Sequence, residues 1–383
     1  MADRGSDKTT ESMTVASASN HLGIDLYKCL AKEKRNVFFS PFSVSTALAM
    51  LFCGTENETA EEMQHVLGYE TANIKDERLK SCFQKLLDSL ESNPDSYNLA
   101  CANSVLADKE FSVKKEYKSL LIEFFKACVE EVNFMNENDK ALSKINEWVS
   151  EKTHGLIPKM LESIDPSTVM VILNAVYFKG FWLEQFDQNE TMLKYFNNKG
   201  EKNNYKEVDT MHIKKKFLYV EEETYKALQL PYNGGDIAML IMLPNLENGL
   251  EELENTLNST FFQDLKHRMK ETKVEVALPK FQLEYEKSLK KCFQQLGINK
   301  IFHPEAELGN ISNSTNIFVS DIIHKAAVVV NEEGSEATAS TVVEIVAYCM
   351  SFDPEFFVDH PFLFIIYNTK NDLILFMGRI NEL

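Results

Sequence analysis

An almost unbroken apolar segment, Val169–Phe178, constrains the fold of this chain more than any other feature, because only Asn174 interrupts it. Such a segment is typical of a strand at the centre of a sheet, where both faces are covered. Further apolar segments with strand patterns follow it towards the C-terminus. They are Ile237–Leu243, Val274–Leu278, Ala326–Val330, Phe362–Tyr367 and Leu373–Met377. The middle and the end of the chain are therefore expected to form large β-sheets.

The N-terminal third of the chain has helical patterns instead. Leu22, Leu26 and Leu30 recur every four residues and mark one face of a helix. The other predicted helices carry start or stop signals. They are a helix that follows the Ser40-Pro41 cap and runs to Cys53 before Gly54, one that opens with a Thr59–Glu62 capping box, and one over Ala141–Lys152 with Gly155 just beyond it. Helices early and strands late predict a mixed α+β fold.

The chain has 383 residues, 44% of them hydrophobic, and no linker or internal repeat divides it. We therefore predict a polar N-terminal extension or tag over residues 1–12, followed by a single domain over residues 13–383. The net charge of −18 repels nucleic acid and anionic lipid, so neither is expected as a main partner. No apolar run approaches the roughly 20 residues of a membrane span.

The location of the protein stays open at this stage. The N-terminal residues have no signal-peptide pattern. The seven cysteines are irregularly spaced, which is more typical of a reducing compartment, whereas five glycosylation sequons favour secretion. An extracellular location is expected if a natural signal has been removed, and a cytoplasmic one is the alternative.

The motifs of the common enzyme classes do not occur in the sequence. There is no nucleophile elbow, no zinc-protease helix motif, no P-loop and no dinucleotide-binding glycine pattern. The irregular cysteines contain no C-x-x-C pair, so a zinc site does not follow either. We therefore expect neither an enzyme nor a metal or cofactor.

A long segment at residues 332–361 breaks the pattern of strands. Thirty residues without a confident element inside a compact domain are unusual and are usually functional. From Ser335 onward, one alternating phase is small or apolar, whereas the other holds Glu336 and Glu344. That alternation is typical of a strand with one packed and one wet face. Because Gly334 precedes it as a natural pivot, the segment is predicted to exist either as an exposed loop or as an added strand, with a plain flexible loop as the alternative.

At this point the sequence resembles the serpin family. Gly334–Thr341 is similar to the hinge of inhibitory serpins, and other serpin-like motifs occur in the expected order. They are Asn36–Ser45, Asn174–Trp182, Leu230–Tyr232, His324–Ala326, Asp359–Phe364 and Leu375–Arg379. The resemblance implies three β-sheets, eight or nine helices and an exposed reactive-centre loop at about 332–361. The C-terminal end resembles the ovalbumin-type branch, from which the polar N-terminal extension and the sequons depart.

The resemblance also implies a mechanism in which the cleaved loop inserts into the main sheet as a new strand. Fourteen inserted residues at about 3.3 Å each would span roughly 45 Å and carry the acylated protease to the far pole. Four residues resemble the polar cluster beneath the sheet that must open, and Trp182 resembles the tryptophan where insertion starts. The four are Ser40, Ser43, Asn174 and His324. The implied hinge consists of Glu332, Glu333, Gly334, Ser335, Glu336, Ala337, Thr338, Ala339, Ser340 and Thr341.

The bait residue of inhibitory serpins lies fourteen places after the hinge glycine, and from Gly334 that count reaches Tyr348. The predicted reactive bond is therefore Tyr348–Cys349. Chymotrypsin-like proteases accept a large aromatic residue, and residues 332–361 contain no Lys or Arg for a trypsin-like one. If the bait bond lies one residue later, at Cys349–Met350, elastase-like targets are favoured. A cysteine protease target and a non-inhibitory role as a carrier or chaperone also stay open. The expected partner is one target serine protease, bound covalently by a monomer without heparin, because residues 76–92 lack a basic cluster.

Overall fold

A computed structural model of the chain describes residues 6–70, 74, 76–90, 96–258, 260–333 and 353–383. The predicted hinge residues Gly334, Ser335, Glu336, Ala337, Thr338, Ala339, Ser340 and Thr341 lie outside the described residues, as do Tyr348 and Cys349. The described residues include Glu333, where the chain enters this segment, and Asp353, where it leaves.

Nine α-helices occur among the described residues, mostly in the first half of the chain. They are α1 (Ser6–Leu30), α2 (Pro41–Phe52), α3 (Asn57–Val66), α4 (Asp76–Ser89), α5 (Lys115–Phe125), α6 (Asn138–Lys152), α7 (Leu250–Thr256), α8 (Phe261–Arg268) and α9 (Lys290–Leu296). No helix in the described part of the chain is both long and apolar enough to cross a bilayer.

Fourteen strands accompany the helices in the described ranges. They are β1 (Val37–Phe39), β2 (Tyr97–Asp108), β3 (Cys128–Val132), β4 (Met170–Gly180), β5 (Met192–Asn197), β6 (Tyr205–Glu221), β7 (Tyr225–Pro231), β8 (Ile237–Pro244), β9 (Lys270–Pro279), β10 (Phe281–Ser288), β11 (Asp321–Val330), β12 (Glu355–Phe357), β13 (Phe362–Asn368) and β14 (Ile374–Ile380). The six segments predicted as strands all form strands.

The strands form a five-stranded and a nine-stranded sheet. The smaller has the order β10-β11-β4-β2-β3, and the larger runs β1-β14-β13-β8-β7-β6-β9-β12, with β5 paired to β6. β6 joins two groups of strands within the larger sheet, because β5 and β9 pair with most of its length and β7 pairs with its last four residues. The α+β fold is therefore confirmed, with two of the three expected sheets sharing this long strand.

The apolar segment Val169–Phe178 forms most of the central strand β4. Its residues alternate between two cores, with Ile172 and Val176 in the main core and Leu173 and Ala175 in a second one. The second core lies between the five-stranded sheet and α6, whose Ile145 and Val149 are buried in it. A strand that packs on both faces needs apolar residues in both alternating phases, which explains its composition.

Two predicted helix starts have different outcomes. Ser40 does cap α2, because its hydroxyl oxygen accepts a hydrogen bond from the Ser43 backbone N–H at 3.1 Å. The predicted Thr59–Glu62 capping box is wrong, because α3 already begins at Asn57 and Thr59 lies inside it. Glu62 instead accepts hydrogen bonds from the backbone N–H groups of residues 299 and 300. The Thr59 hydroxyl accepts one from the Glu307 backbone N–H, so both side chains bind segments that lie far away in the sequence.

Candidate functional site

The seam between β4 and β11 is the central feature of the five-stranded sheet. The two strands pair directly and in parallel, in a register that runs from Asp321 opposite Val171 to Val328 opposite Phe178. Parallel pairing is slightly less stable per residue than antiparallel pairing. β11 ends at Val330, immediately before the segment predicted to insert. A strand entering this seam would therefore be the continuation of one of the two strands that it separates.

The predicted polar cluster lies beneath the middle of this seam and is fully assembled. Asn174 and His324 are register partners on β4 and β11, and the His324 Nδ1 atom contacts the Asn174 Oδ1 atom. The Ser40 backbone N–H donates to His324 Nε2 at 3.2 Å, and Asn174 Nδ2 donates to the Ser43 hydroxyl at 2.6 Å. All four residues are buried. The cluster joins the first turn of α2 to both strands of the seam.

The hydrogen bonds define the protonation state of His324. A backbone N–H can only donate, so Nε2 accepts and the proton of the neutral ring lies on Nδ1, from which it is donated to Asn174. Burial lowers the pKa of His324 to about 3. The ring is therefore neutral at physiological pH, and protonation would remove the acceptor that Ser40 uses.

Asn103 also belongs to this cluster, and the sequence reasoning missed it. Asn103 on β2 is the register partner of Asn174, and its Oδ1 atom accepts a hydrogen bond from Asn174 Nδ2. It is buried with 4% of its surface exposed. The signal that could have found it is an amide within the otherwise apolar, small-residue stretch of residues 99–107.

Trp182 lies just beyond the end of β4, at the end of the seam where β11 finishes. Its indole N–H donates to the backbone oxygen of Asn331 at 2.8 Å, and its ring stacks on Tyr232 with centroids 4.4 Å apart. Phe186 packs edge-on against the same indole. The sequence reasoning identified Trp182 but not the partners that fix its position.

Glu332 is held firmly in this region by several contacts. Its carboxylate lies 3.1 Å from Lys280 Nζ and accepts a 2.7 Å hydrogen bond from the Thr191 hydroxyl, and its backbone oxygen accepts from the Phe186 N–H. Burial on its own raises the pKa of Glu332, but the hydrogen bonds from Thr191, its own backbone and Lys280 outweigh it and lower the pKa overall. Lys280 and Thr191 were not identified from the sequence. Lys280 could have been found as the single cation between the patterns of β9 and β10.

Glu333 has weaker and more exposed contacts. The Gln188 side-chain amide donates to its carboxylate at 3.0 Å, and Gln185 donates to its backbone oxygen at 3.4 Å. The two glutamates of the predicted hinge are therefore anchored to the stretch that follows Trp182. The assignment of residues 332–341 as a hinge remains a prediction.

The segment that follows α6 is fastened across the outer face of the seam. Lys325 on β11 donates to the backbone oxygen of Lys159 at 2.6 Å, and Asn138 donates to the backbone oxygen of Ile164. Asn146 accepts hydrogen bonds from the backbone N–H groups of Met160 and Leu161. This segment therefore forms a cover over the seam at Lys325, and a strand that enters the seam there has to displace it.

Within the described ranges, no group of three or more His, Cys, Asp or Glu side chains is arranged to hold a metal ion. The polar groups of the seam bond to one another and to backbone. Its chemistry is a set of hydrogen bonds and an ion pair that would have to break or rearrange if the two strands separated.

Comparison with known proteins gives a consistent result. The family model described as serpin (serine protease inhibitor) matches residues 17–383. Iripin-8 of the tick Ixodes ricinus is 37% identical over 378 residues, covering 96% of this chain and 94% of its own. Intracellular coagulation inhibitor 2 of Tachypleus tridentatus is 35% identical over 371 residues, covering 96% and 90% of the two chains.

Solved structures agree with this fold. Uncleaved ovalbumin superimposes with a TM-score of 0.87 at 27% identity, covering 96% of this chain and all of its own. The thermophilic serpin tengpin in its native state gives a TM-score of 0.87 at 29% identity, covering 96% and 94% of the two chains.

Proposed function

Because this chain belongs to the serpin (serine protease inhibitor) family, we propose that it is an irreversible suicide inhibitor of chymotrypsin-like serine proteases with Tyr348–Cys349 as the bait bond. The protease serine attacks the Tyr348 carbonyl carbon, and the bond to the Cys349 nitrogen breaks as the acyl-enzyme forms. The nitrogen takes a proton and leaves as a new N-terminus. The protease is then attached to the end of a free arm that starts at β11.

Insertion of that arm between β4 and β11 is the second step. The arm continues β11 and would run antiparallel to it, and therefore also antiparallel to β4, because β4 and β11 are parallel. Antiparallel ladders would replace a single parallel one on both sides. The extended strand moves the protease away before water completes hydrolysis.

The single observation that carries the proposal is the direct pairing of β4 with β11 immediately before the predicted loop. The small residues at alternate positions from Ser335 to Val343 support it, because the inserted strand would have to fit between two packed neighbours. The absence of Lys and Arg from residues 332–361 supports a chymotrypsin-like over a trypsin-like target. Chymotrypsin, cathepsin G and chymase represent this target class.

Incubation of the protein with chymotrypsin tests the proposal. A denaturing gel should show a covalent complex, and mass spectrometry should find a released peptide that begins at Cys349. A Tyr348→Arg variant should form the complex with trypsin instead. A released peptide that begins at Met350 would favour the elastase-like alternative, and complete cleavage without any complex would favour a non-inhibitory serpin. A complex formed only with a papain-like enzyme would favour a cysteine protease target.

A further inference from the structure

A pair of thiols lies far along the sequence but close in space, at the contact between the end of α1 and α9. Cys29 is in the last turn of α1, and Cys292 is near the start of α9. The two helices pack against each other, and the Cys29 side chain is close enough to raise the pKa of the Cys292 thiol. Both cysteines are free thiols in this structure. No step of the proposed inhibitory mechanism uses either of them.

Hydrogen bonds around Gln295 fix the position of the pair. Gln295 lies one helical turn after Cys292, and its side-chain oxygen accepts hydrogen bonds from Cys29 Sγ and from Lys32 Nζ, each at 3.3 Å. Cys29 is therefore held against the face of α9 that carries Cys292. A disulfide between the two side chains would require an S–S distance of about 2.05 Å.

The two thiols differ in access. Cys29 is partly exposed, whereas Cys292 is buried with 7% of its surface exposed. Burial raises the pKa of the Cys292 thiol to about 12, with smaller contributions from the contact with Cys29 and from Glu33, while Lys287 acts in the opposite direction. This asymmetry makes Cys29 the first thiol to react and Cys292 the second.

We propose that Cys29 and Cys292 form a reversible intrachain disulfide by exchange with a low-molecular-weight disulfide such as glutathione disulfide. The Cys29 thiolate attacks one sulfur of the reagent, forms a mixed disulfide and releases one glutathione thiolate. The Cys292 sulfur, deprotonated as it reacts, then attacks Cys29 Sγ and releases the second glutathione. The two protein thiols are oxidised, the reagent is reduced to two thiols, and the two protons end on the released glutathione molecules.

The bond would join α1 to α9, which is tied to the β10–β11 side of the seam. The backbone N–H of Leu289, at the start of α9, donates to the Ile322 oxygen, and Lys290 Nζ donates to the Ser320 oxygen. A covalent tether between segments so far apart in sequence lowers the entropy of the unfolded chain. The oxidised protein should therefore melt at a higher temperature than the reduced protein.

The test is incubation of the full chain in glutathione redox buffers, followed by alkylation of free thiols and non-reducing peptide mapping. The expected result is a peptide pair joined through Cys29 and Cys292, which disappears after reduction. A Cys292→Ser variant should stop at a mixed disulfide of glutathione with Cys29. A Cys29→Ser variant should leave Cys292 alkylated only after unfolding. The matched control Cys128→Ser, which changes a half-buried cysteine elsewhere, should keep the linked pair.

Two results would overturn the proposal. One is a wild-type protein that, after oxidising buffer and unfolding, has both cysteines alkylated or still carries glutathione on Cys29. The other is a linked pair that leaves the melting temperature unchanged, which would show that the bond does not tether the folded helices. Peptide mapping of the wild-type protein decides the first point even if a serine variant fails to fold.

Discussion

The carboxylate of Glu332 lies 3.1 Å from Lys280 Nζ, and this ion pair anchors the chain two residues after β11 ends. The Glu332 side chain is almost fully buried, whereas the Lys280 side chain is about one third exposed. Breaking one partner of such a pair leaves the other without its main contact. The anchor therefore holds the start of the predicted hinge at the end of the seam beside Trp182.

A Glu332→Gln variant should destabilise this anchor. The amide keeps the shape but loses the charge that pairs with Lys280, so we expect a loss of about 1–3 kcal/mol. The melting temperature of the intact protein should fall, and polymers should form sooner on mild heating. Calorimetry and size-exclusion chromatography measure these effects. The neighbouring Glu333→Gln is the matched control, and equal melting temperatures for both variants would contradict the prediction.

A His324→Ala variant should weaken the closed seam. It leaves the Ser40 N–H and the Asn174 carbonyl oxygen without their buried partner, at a cost of about 1–3 kcal/mol. We expect premature insertion or loop-to-sheet polymers, visible by size-exclusion chromatography after mild heating. His21→Ala changes an exposed histidine and serves as the control. A His324→Ala protein that stayed monomeric and fully active would argue against this role of the cluster.

The stability of the intact form should fall as the pH is lowered from about 6.5 towards 3. The pKa of His324 is about 3 in the fold and about 6.5 in an unfolded chain, so within this window the unfolded chain binds the extra proton. Stability from this residue is therefore present above about pH 6.5 and decreases by up to about 1.4 kcal/mol per pH unit below it. Melting temperatures measured across the window for the wild type and His324→Gln should converge as the pH falls. Curves that stay parallel would disprove the assignment.

A Lys325→Met variant should accelerate loop insertion. The substitution removes the hydrogen bond from β11 to the backbone oxygen of Lys159, which fastens the cover over the seam. Stopped-flow measurements with a fluorescent protease should show faster movement of the protease after acylation. Lys159→Met is a matched control, because it keeps the backbone oxygen and removes only an exposed ion pair with Glu162. Equal insertion rates for Lys325→Met and the wild type would count against this role of the Lys325 hydrogen bond.

An Ala339→Arg variant should change the protein from an inhibitor into a substrate. In the predicted inserted strand Ala339 belongs to the phase of small residues that packs, whereas Ser340 belongs to the phase that faces water. A charged side chain in the packed phase blocks insertion, so hydrolysis finishes first. Gel densitometry gives the ratio of cleaved protein to complex with chymotrypsin. Ser340→Arg should keep most of the inhibition, and an identical loss in both variants would refute the assigned phases.

The elements with strong periodic patterns could be predicted from the sequence. The central strand β4 carries apolar residues in both phases, and α2 has a Ser-Pro start, so their existence follows from local rules. The long strand β6 was missed because its polar residues predominate, with Lys214, Lys215 and Lys216 in its middle. Lys214 and Lys216 in fact form cross-strand ion pairs with Glu275 and Glu271 on β9, a stabilisation that only the paired strand makes visible.

The candidate site divides in the same way. Asn174 and His324 could be assigned because they lie in recognisable motifs, and the structure brings them together as register partners. Lys280 and Asn103 have only weak local signals, a single cation between two strands and an amide in an apolar stretch, and neither signal identifies the distant partner that gives the residue its role. Long-range partners of single polar residues require the fold.

The separation of His324 from Asn174 by 150 residues has a consequence for how the chain reaches its intact form. During synthesis β4 emerges first and must wait for β11, and the residues of the predicted loop emerge directly after β11. Contacts between distant segments form slowly because a long stretch of chain must be closed first. During synthesis β11 can therefore pair with β4 before the segment that is predicted to insert between them has left the ribosome. The order of translation therefore favours the β4–β11 pairing, and a full-length chain refolded in solution lacks that advantage.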